Sequence, residues 1–116
     1  MNDASSKMNP QTYNENIRAM MSCALAANPK AEFILVSTIL TNPEWTGAGD
    51  IPAYRAMLEE LAEEETYRAV VADITQLHGF LLEAKKYSDI TGNNVNHLND
   101  YLSRWYAQYL LKLFQA

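Results

Sequence analysis

Two short apolar runs, each lying between segments of helical periodicity, constrain the fold of this chain more than any other feature. The runs are Phe33–Val36 and Ala69–Ala72, and polar residues bound both of them. A continuous apolar run of this length is typical of a strand buried on both faces, as in a parallel sheet covered by helices. Alternating helices and strands imply right-handed crossovers between parallel strands. The sequence therefore predicts an α/β layered fold with two parallel strands.

Four helices are predicted to cover these strands. Asn9 caps the first helix, which ends at Asn28-Pro29, because an asparagine side chain satisfies free N–H groups and proline cannot continue a helix. The second covers about residues 51–65, the third carries Phe80 on its apolar face and ends near Lys86, and a strongly apolar fourth comes last. The predicted order is helix, strand, helix, strand, helix, loop, helix.

The 116 residues are expected to form a single domain over residues 1–116. Sheets usually contain about five or six strands, and a two-stranded parallel sheet leaves both of its edges open. The last helix is also apolar around most of its circumference, so it needs cover on several sides. We therefore expect that either a missing N-terminal segment or a second copy of the chain completes the sheet.

Charge and hydropathy exclude several classes of partner. The net charge of −5 and the scattered basic residues exclude a nucleic-acid partner, because a phosphate backbone repels an acidic surface. No apolar stretch approaches the ~18 residues that a membrane span requires, and no secretion signal is visible. The single cysteine, Cys23, excludes an internal disulfide and is predicted to be a buried, inert thiol. These features leave the compartment open.

Three segments carry the chemistry that the sequence suggests. They are Met1-Asn2-Asp3, the predicted strand from Phe33 with Asn42-Pro43-Glu44-Trp45 after it, and the turn-rich loop that contains Asn94 and His97. In their order and spacing they resemble the SGNH, or GDSL-type, ester hydrolases, which are serine enzymes built on a flavodoxin-like parallel sheet. The resemblance covers essentially the whole chain and implies an incomplete flavodoxin-like fold.

The resemblance also implies roles for individual residues. Asn2 would donate its side-chain amide to the oxyanion hole, and His97 would be the general base that takes a proton from a serine hydroxyl. The third residue of the triad, which orients the histidine, is usually an aspartate three positions before it. Asn94 occupies that position here, and Asp89 on the same loop is the alternative carboxylate. Both alternatives remain open at this point.

The sequence departs from the family in lacking a nucleophile. No serine has a Gly-Asp-Ser or Gly-x-Ser-x-Gly context, and the second oxyanion glycine block is absent too. The first hypothesis is therefore the C-terminal portion of an SGNH-type esterase or acylhydrolase, acting on a carbohydrate or lipid ester and inactive without a serine-bearing segment. The alternative is a catalytically silent truncated module that acts through homodimerisation or partner binding.

The remaining candidate residues are assigned more ordinary roles. His78 lies within a predicted helix among apolar residues and is interpreted as structural. Two separated histidines without a cysteine cluster do not make a metal site, and no cofactor is expected. Trp45 belongs to a loop at the carboxyl end of a strand, where ligands often bind. It is expected either to line the substrate mouth or to pack against the last helix.

Overall fold

The structure, a computed structural model, describes residues 2–45 and 49–115. Met1 of the Met1-Asn2-Asp3 motif and part of the Trp45 loop lie outside the described residues. The fold is mixed α/β, with a two-stranded parallel sheet of β1 (Phe33–Val36) and β2 (Ala69–Ala72). The helices are α1 (Asn2–Ser5), α2 (Pro10–Ala27), α3 (Ile51–Glu63), α4 (Ile74–Leu82), α5 (Tyr87–Ile90) and α6 (Asp100–Leu113). Both predicted strands and their parallel pairing are confirmed.

Each of the four long helices begins at a residue whose side chain caps it. Asn9, Asp50, Asp73 and Asn99 each accept a hydrogen bond from a backbone N–H in the first turn of their helix. Each such cap stabilises a helix by about 1 kcal/mol because it satisfies a donor that has no partner within the helix. The local sequence therefore determines where these helices begin.

The two strands lie between two apolar clusters. The first cluster joins β1 to α2 and α3 and contains Met21, Leu35, Leu58, Leu61 and Tyr67. The second joins the sheet to α4, α5 and α6 and contains Ile39, Ile74, Leu81, Ile90 and Leu102. Successive strand residues point to opposite faces, so Leu35 belongs to the first cluster whereas Val36 packs against the second. Helices therefore cover both faces of the sheet, as the sequence predicts.

The structure corrects several expected boundaries. A short helix, α1, precedes the first predicted helix, and α5 is an additional short helix that the predicted order does not contain. The second and third long helices end at Glu63 and Leu82, earlier than predicted. Phe80 is 65% exposed and Val70 in β2 is 51% exposed, so neither is buried as its pattern predicts. A periodic pattern identifies the apolar face of an element, but it does not show that another element covers that face.

The prediction that Cys23 is buried is wrong, because its side chain is exposed. The buried face of α2 contains Met21, with Ile17 and Leu25 packed beside it. Cys23 lies two positions after Met21, which is a rotation of about 200° around a helix and therefore points away from that face.

An exposed thiol should react with a maleimide in the native protein. We expect complete modification of Cys23 at neutral pH without denaturant, measured by mass spectrometry, with Cys23→Ser as the unlabelled control. Modification that required denaturant would contradict this exposure.

None of the helices in the described part of the chain has both the length and the hydrophobicity of a membrane-spanning segment.

Candidate functional site

An open cavity of about 720 Å³ lies at the carboxyl end of β1. Its walls come from α1, from the segment that follows β1, from the loop that precedes α6, and from α6 itself. The lining residues are Asn2, Val36, Ser37, Thr38, Ile39, Asn96, His97, Leu98, Ser103 and Tyr106. The cavity thus brings together Asn2 and His97, the two residues that the family resemblance selects as oxyanion donor and general base.

The backbone around His97 is held by one side chain. Asn93 Oδ1 accepts hydrogen bonds from the N–H groups of Val95, Asn96 and His97, at 3.0, 2.9 and 3.0 Å. The His97 carbonyl accepts a further bond from Gly92 N–H at 2.9 Å. The turn-rich sequence signalled a loop, but it did not reveal this role of Asn93.

The His97 ring is exposed and makes no hydrogen bond to any of the residues that the structure describes. Its backbone is therefore fixed at the cavity while its imidazole remains available for a reacting group. Asn2 is similarly exposed at the start of α1, where its carbonyl accepts a bond from Ser6 N–H at 2.9 Å. Asn2 is one of the residues that line the same cavity.

The two candidates for the third triad residue have other contacts. Asn94 has a φ of 55° in the left-handed region, and its carbonyl accepts a bond from Asn42 Nδ2 at 2.7 Å. The Asp89 carboxylate accepts a bond from Lys86 N–H at 3.1 Å and so helps to begin α5. Neither residue lines the cavity. Neither residue is hydrogen-bonded to the His97 ring.

Two serines line the cavity, and neither is hydrogen-bonded to His97. Ser37 is 2% exposed, and its Oγ accepts a bond from Thr75 N–H at 2.9 Å while lying 3.3 Å from Asp73 Oδ1. The hydrogen-bond partners of this hydroxyl therefore lie at the start of α4. Ser103 is exposed on the first turn of α6, and its N–H donates to the Asn99 carbonyl at 2.9 Å. Among the described residues, no serine forms a nucleophile–base pair with His97.

An ion pair fixes Asp73, which follows β2 and contacts the cavity residue Ser37. Arg55 on α3 donates to Asp73 Oδ2 from Nε at 2.8 Å and from a terminal nitrogen at 2.6 Å. This hydrogen bonding to Asp73 raises the pKa of Arg55. Because Asp73 also caps α4 and contacts Ser37, its carboxylate is fully engaged and serves the structure of the site.

Trp45 is partly exposed and does not line the cavity. Its backbone N–H donates to the Asn42 carbonyl at 2.9 Å, which makes Trp45 part of a local turn. In residues 2–45 and 49–115, no group of three or more histidine, cysteine, aspartate or glutamate side chains is arranged to hold a metal ion.

Comparisons with protein-family models, with curated proteins and with solved structures find no match to this chain.

Proposed function

We propose that this chain supplies the general base and an oxyanion-hole donor of a serine ester hydrolase of the SGNH type, with a flavodoxin-like sheet completed by a serine-bearing segment. The observation that carries this proposal is the meeting of Asn2 and His97 at one cavity, although they lie far apart in the sequence. The carboxyl end of a parallel strand is also where ligands bind in open α/β sheets.

In this mechanism the serine hydroxyl gives its proton to His97 while its oxygen attacks the ester carbonyl carbon. The Asn2 amide donates a hydrogen bond to the negatively charged oxygen of the tetrahedral intermediate, which lowers the barrier because the donor stabilises the charge that develops there. The carbon–oxygen bond then breaks, and His97 returns the proton to the leaving alcohol. Water, deprotonated by His97, finally attacks the acyl carbon, the bond to the serine oxygen breaks, and His97 returns the proton to that oxygen as the acid is released.

The lining of the cavity supports an ester with both polar and apolar parts. Asn2, Asn96 and Thr38 contribute polar groups, whereas Ile39 and Leu98 contribute apolar ones. A volume of about 720 Å³ is within the range of small-molecule sites in proteins. We propose a carbohydrate or lipid ester as the substrate class.

The proposal is tested by supplying the serine. The chain is produced alone and also co-expressed with the N-terminal, Gly-Asp-Ser-bearing part of an SGNH-type hydrolase, and hydrolysis of a short-chain aryl ester is measured. We expect no enzymatic turnover from the chain alone, because no serine pairs with His97 in the described structure. Turnover and fluorophosphonate labelling of the added serine should appear only in the assembled protein.

Ser103→Ala and Ser37→Ala are the controls for this experiment. Turnover by the chain alone that disappeared in Ser103→Ala would show that the nucleophile is intrinsic, and this outcome would contradict the proposal. Persistent inactivity of assemblies that are shown to be folded would count against the enzymatic function itself.

A catalytically silent interaction module is the second candidate function. The observation that favours it is the exposure of large apolar side chains, with Phe114, Phe80 and Leu111 exposed by 74%, 65% and 60%. Such side chains, together with open sheet edges, are typical of surfaces that pair with another chain. A compact homodimer in sedimentation at low micromolar concentration, without any gain of activity on assembly, would favour this function over the first.

A further inference from the structure

Asn42 joins the segment that follows β1 to the loop that carries His97. Its backbone N–H donates to the Val95 carbonyl at 2.9 Å, and its side-chain Nδ2 donates to the Asn94 carbonyl at 2.7 Å. Asn42 is only 8% exposed, so water competes little for these bonds. Both acceptors lie within three residues of His97.

Tyr87 makes a second connection between the same two segments. Its hydroxyl lies 2.8 Å from the carbonyl oxygens of both Leu40 and Val95. Burial raises the pKa of Tyr87 to about 12, so the hydroxyl keeps its proton and remains a donor throughout the neutral range. Tyr87 thus holds the His97 loop against the segment after β1 from the side of α5.

The segment after β1 is itself anchored to α4. Leu40 N–H donates to His78 Nδ1 at 2.9 Å, and the His78 ring packs against the Tyr87 ring with their centroids 5.5 Å apart. The bonds made by Asn42 and Tyr87, together with this anchor, form what we call the loop clamp. The loop clamp connects α4, the end of β1 and the His97 loop.

We propose that Asn42 and Tyr87 are positioning residues that hold His97 at the cavity. Since the His97 ring has no hydrogen bond to a described residue, its location relative to the end of β1 depends on the backbone of its loop. Asn93 folds that loop internally, whereas Asn42 and Tyr87 fix it to the rest of the protein. The inference deepens the proposed function and rests on it, because the base that is positioned is the base of that mechanism.

Two variants remove hydrogen bonds of the loop clamp while keeping the neighbouring side-chain contacts. Tyr87→Phe removes the hydroxyl but keeps the ring against His78. Asn42→Asp keeps the side-chain acceptor for Glu44 N–H, at 2.9 Å, but removes the donor to the Asn94 carbonyl.

Two control variants make the same chemical changes elsewhere. Tyr109→Phe removes a hydroxyl that makes no hydrogen bond to a described residue, on a partly buried side chain of α6. Asn16→Asp adds a carboxylate at an exposed position of α2.

The experiment is nuclear magnetic resonance of the full chain, which requires no activity. In Tyr87→Phe and in Asn42→Asp we expect shifted ring signals for His97. We also expect at least about tenfold faster hydrogen exchange of the backbone N–H at position 42, because loosening one bond of a local network raises its opening frequency. In both clamp variants, the signals of Leu58 and Leu61 in the first cluster should stay unchanged. In the controls Tyr109→Phe and Asn16→Asp, the signals of the His97 loop should stay unchanged.

Unchanged His97 signals and exchange rates in both clamp variants would overturn the proposal. If one variant fails to fold, the other decides by the same criteria. Global unfolding of both would assign Asn42 and Tyr87 a purely structural role and would equally overturn it.

A kinetic readout separates this inference from the proposed function. In the assembled hydrolase, a misplaced base should lower kcat by about a hundredfold while KM changes little. If the two clamp variants displace the His97 loop but the assembled wild type has no activity, the proposed function is refuted. The role of the loop clamp in holding the loop would then still stand. Full kcat in both variants despite a displaced loop would refute the positioning role alone.

Discussion

Replacing His97 with alanine should lower kcat/KM of the assembled hydrolase by about 10³- to 10⁴-fold, because the serine would lose the group that accepts its proton. The remaining rate should come from substrate binding and from oxyanion stabilisation. His97 is exposed, and only its backbone groups make hydrogen bonds to described residues. The substitution should therefore leave the free energy of unfolding nearly unchanged.

This prediction is checked by steady-state kinetics on the aryl ester together with thermal unfolding of each variant. Asn16→Ala serves as the matched control, since it truncates an exposed side chain on α2, away from the cavity. A His97→Ala protein with more than a tenth of the wild-type kcat/KM would show that another group is the base. An equal loss of activity in Asn16→Ala would show that the assembly, rather than the chemistry, is impaired.

Local patterns in the sequence predicted the parts of this fold that depend on local interactions. Asn9 and Asn28-Pro29 bound α2 as predicted, because a cap and a proline act on their own helix. The apolar run of β1 likewise identified a strand that requires cover on both faces. The four-residue helices α1 and α5 were missed because a single turn is too short to show a period.

The candidate site was predicted only in part, and the reason is physical. The sequence indicated Asn2 and His97 through a family resemblance, and the structure places both at one cavity. The contacts of Asn42 and Tyr87 with the His97 loop were not foreseen, because hydrogen bonds between distant segments leave no periodic signal. The sequence analysis also did not predict the role of the Asp89 carboxylate. That carboxylate makes a local hydrogen bond with Lys86 N–H at the start of α5.

Acid should destabilise this protein through His78. The side chain is fully buried, and its Nδ1 accepts a hydrogen bond from Leu40 N–H, which requires the neutral ring. The other ring nitrogen, Nε2, is buried without a hydrogen-bond partner among the described residues. Burial accordingly lowers the pKa of His78 from 6.5 to about 4. In the folded protein the ring therefore resists protonation at a pH where the unfolded chain accepts a proton.

The direction of the pH effect follows from proton binding. Below pH 6.5 the unfolded chain takes up a proton at this histidine, whereas the folded protein takes it up only near pH 4. The stability contributed by the neutral ring is thus complete above pH 6.5 and is lost as the pH falls towards 4. The full loss is about 3 kcal/mol, because each unit of pKa difference corresponds to about 1.4 kcal/mol.

His78→Asn tests this linkage, because the asparagine oxygen can accept the Leu40 N–H but does not titrate. The free energy of unfolding is measured by urea denaturation at pH 7 and pH 4 for the wild type, His78→Asn and the exposed-site control His97→Asn. We expect the wild type and the control to lose about 3 kcal/mol more than His78→Asn over this interval. Acidic groups such as Glu64, whose pKa is lowered by its bond to Arg18, protonate in all three proteins and cancel in the comparison. Equal losses in all three would show that His78 takes up its proton in the folded protein as readily as in the unfolded chain, and its buried bond to Leu40 would then not oppose protonation.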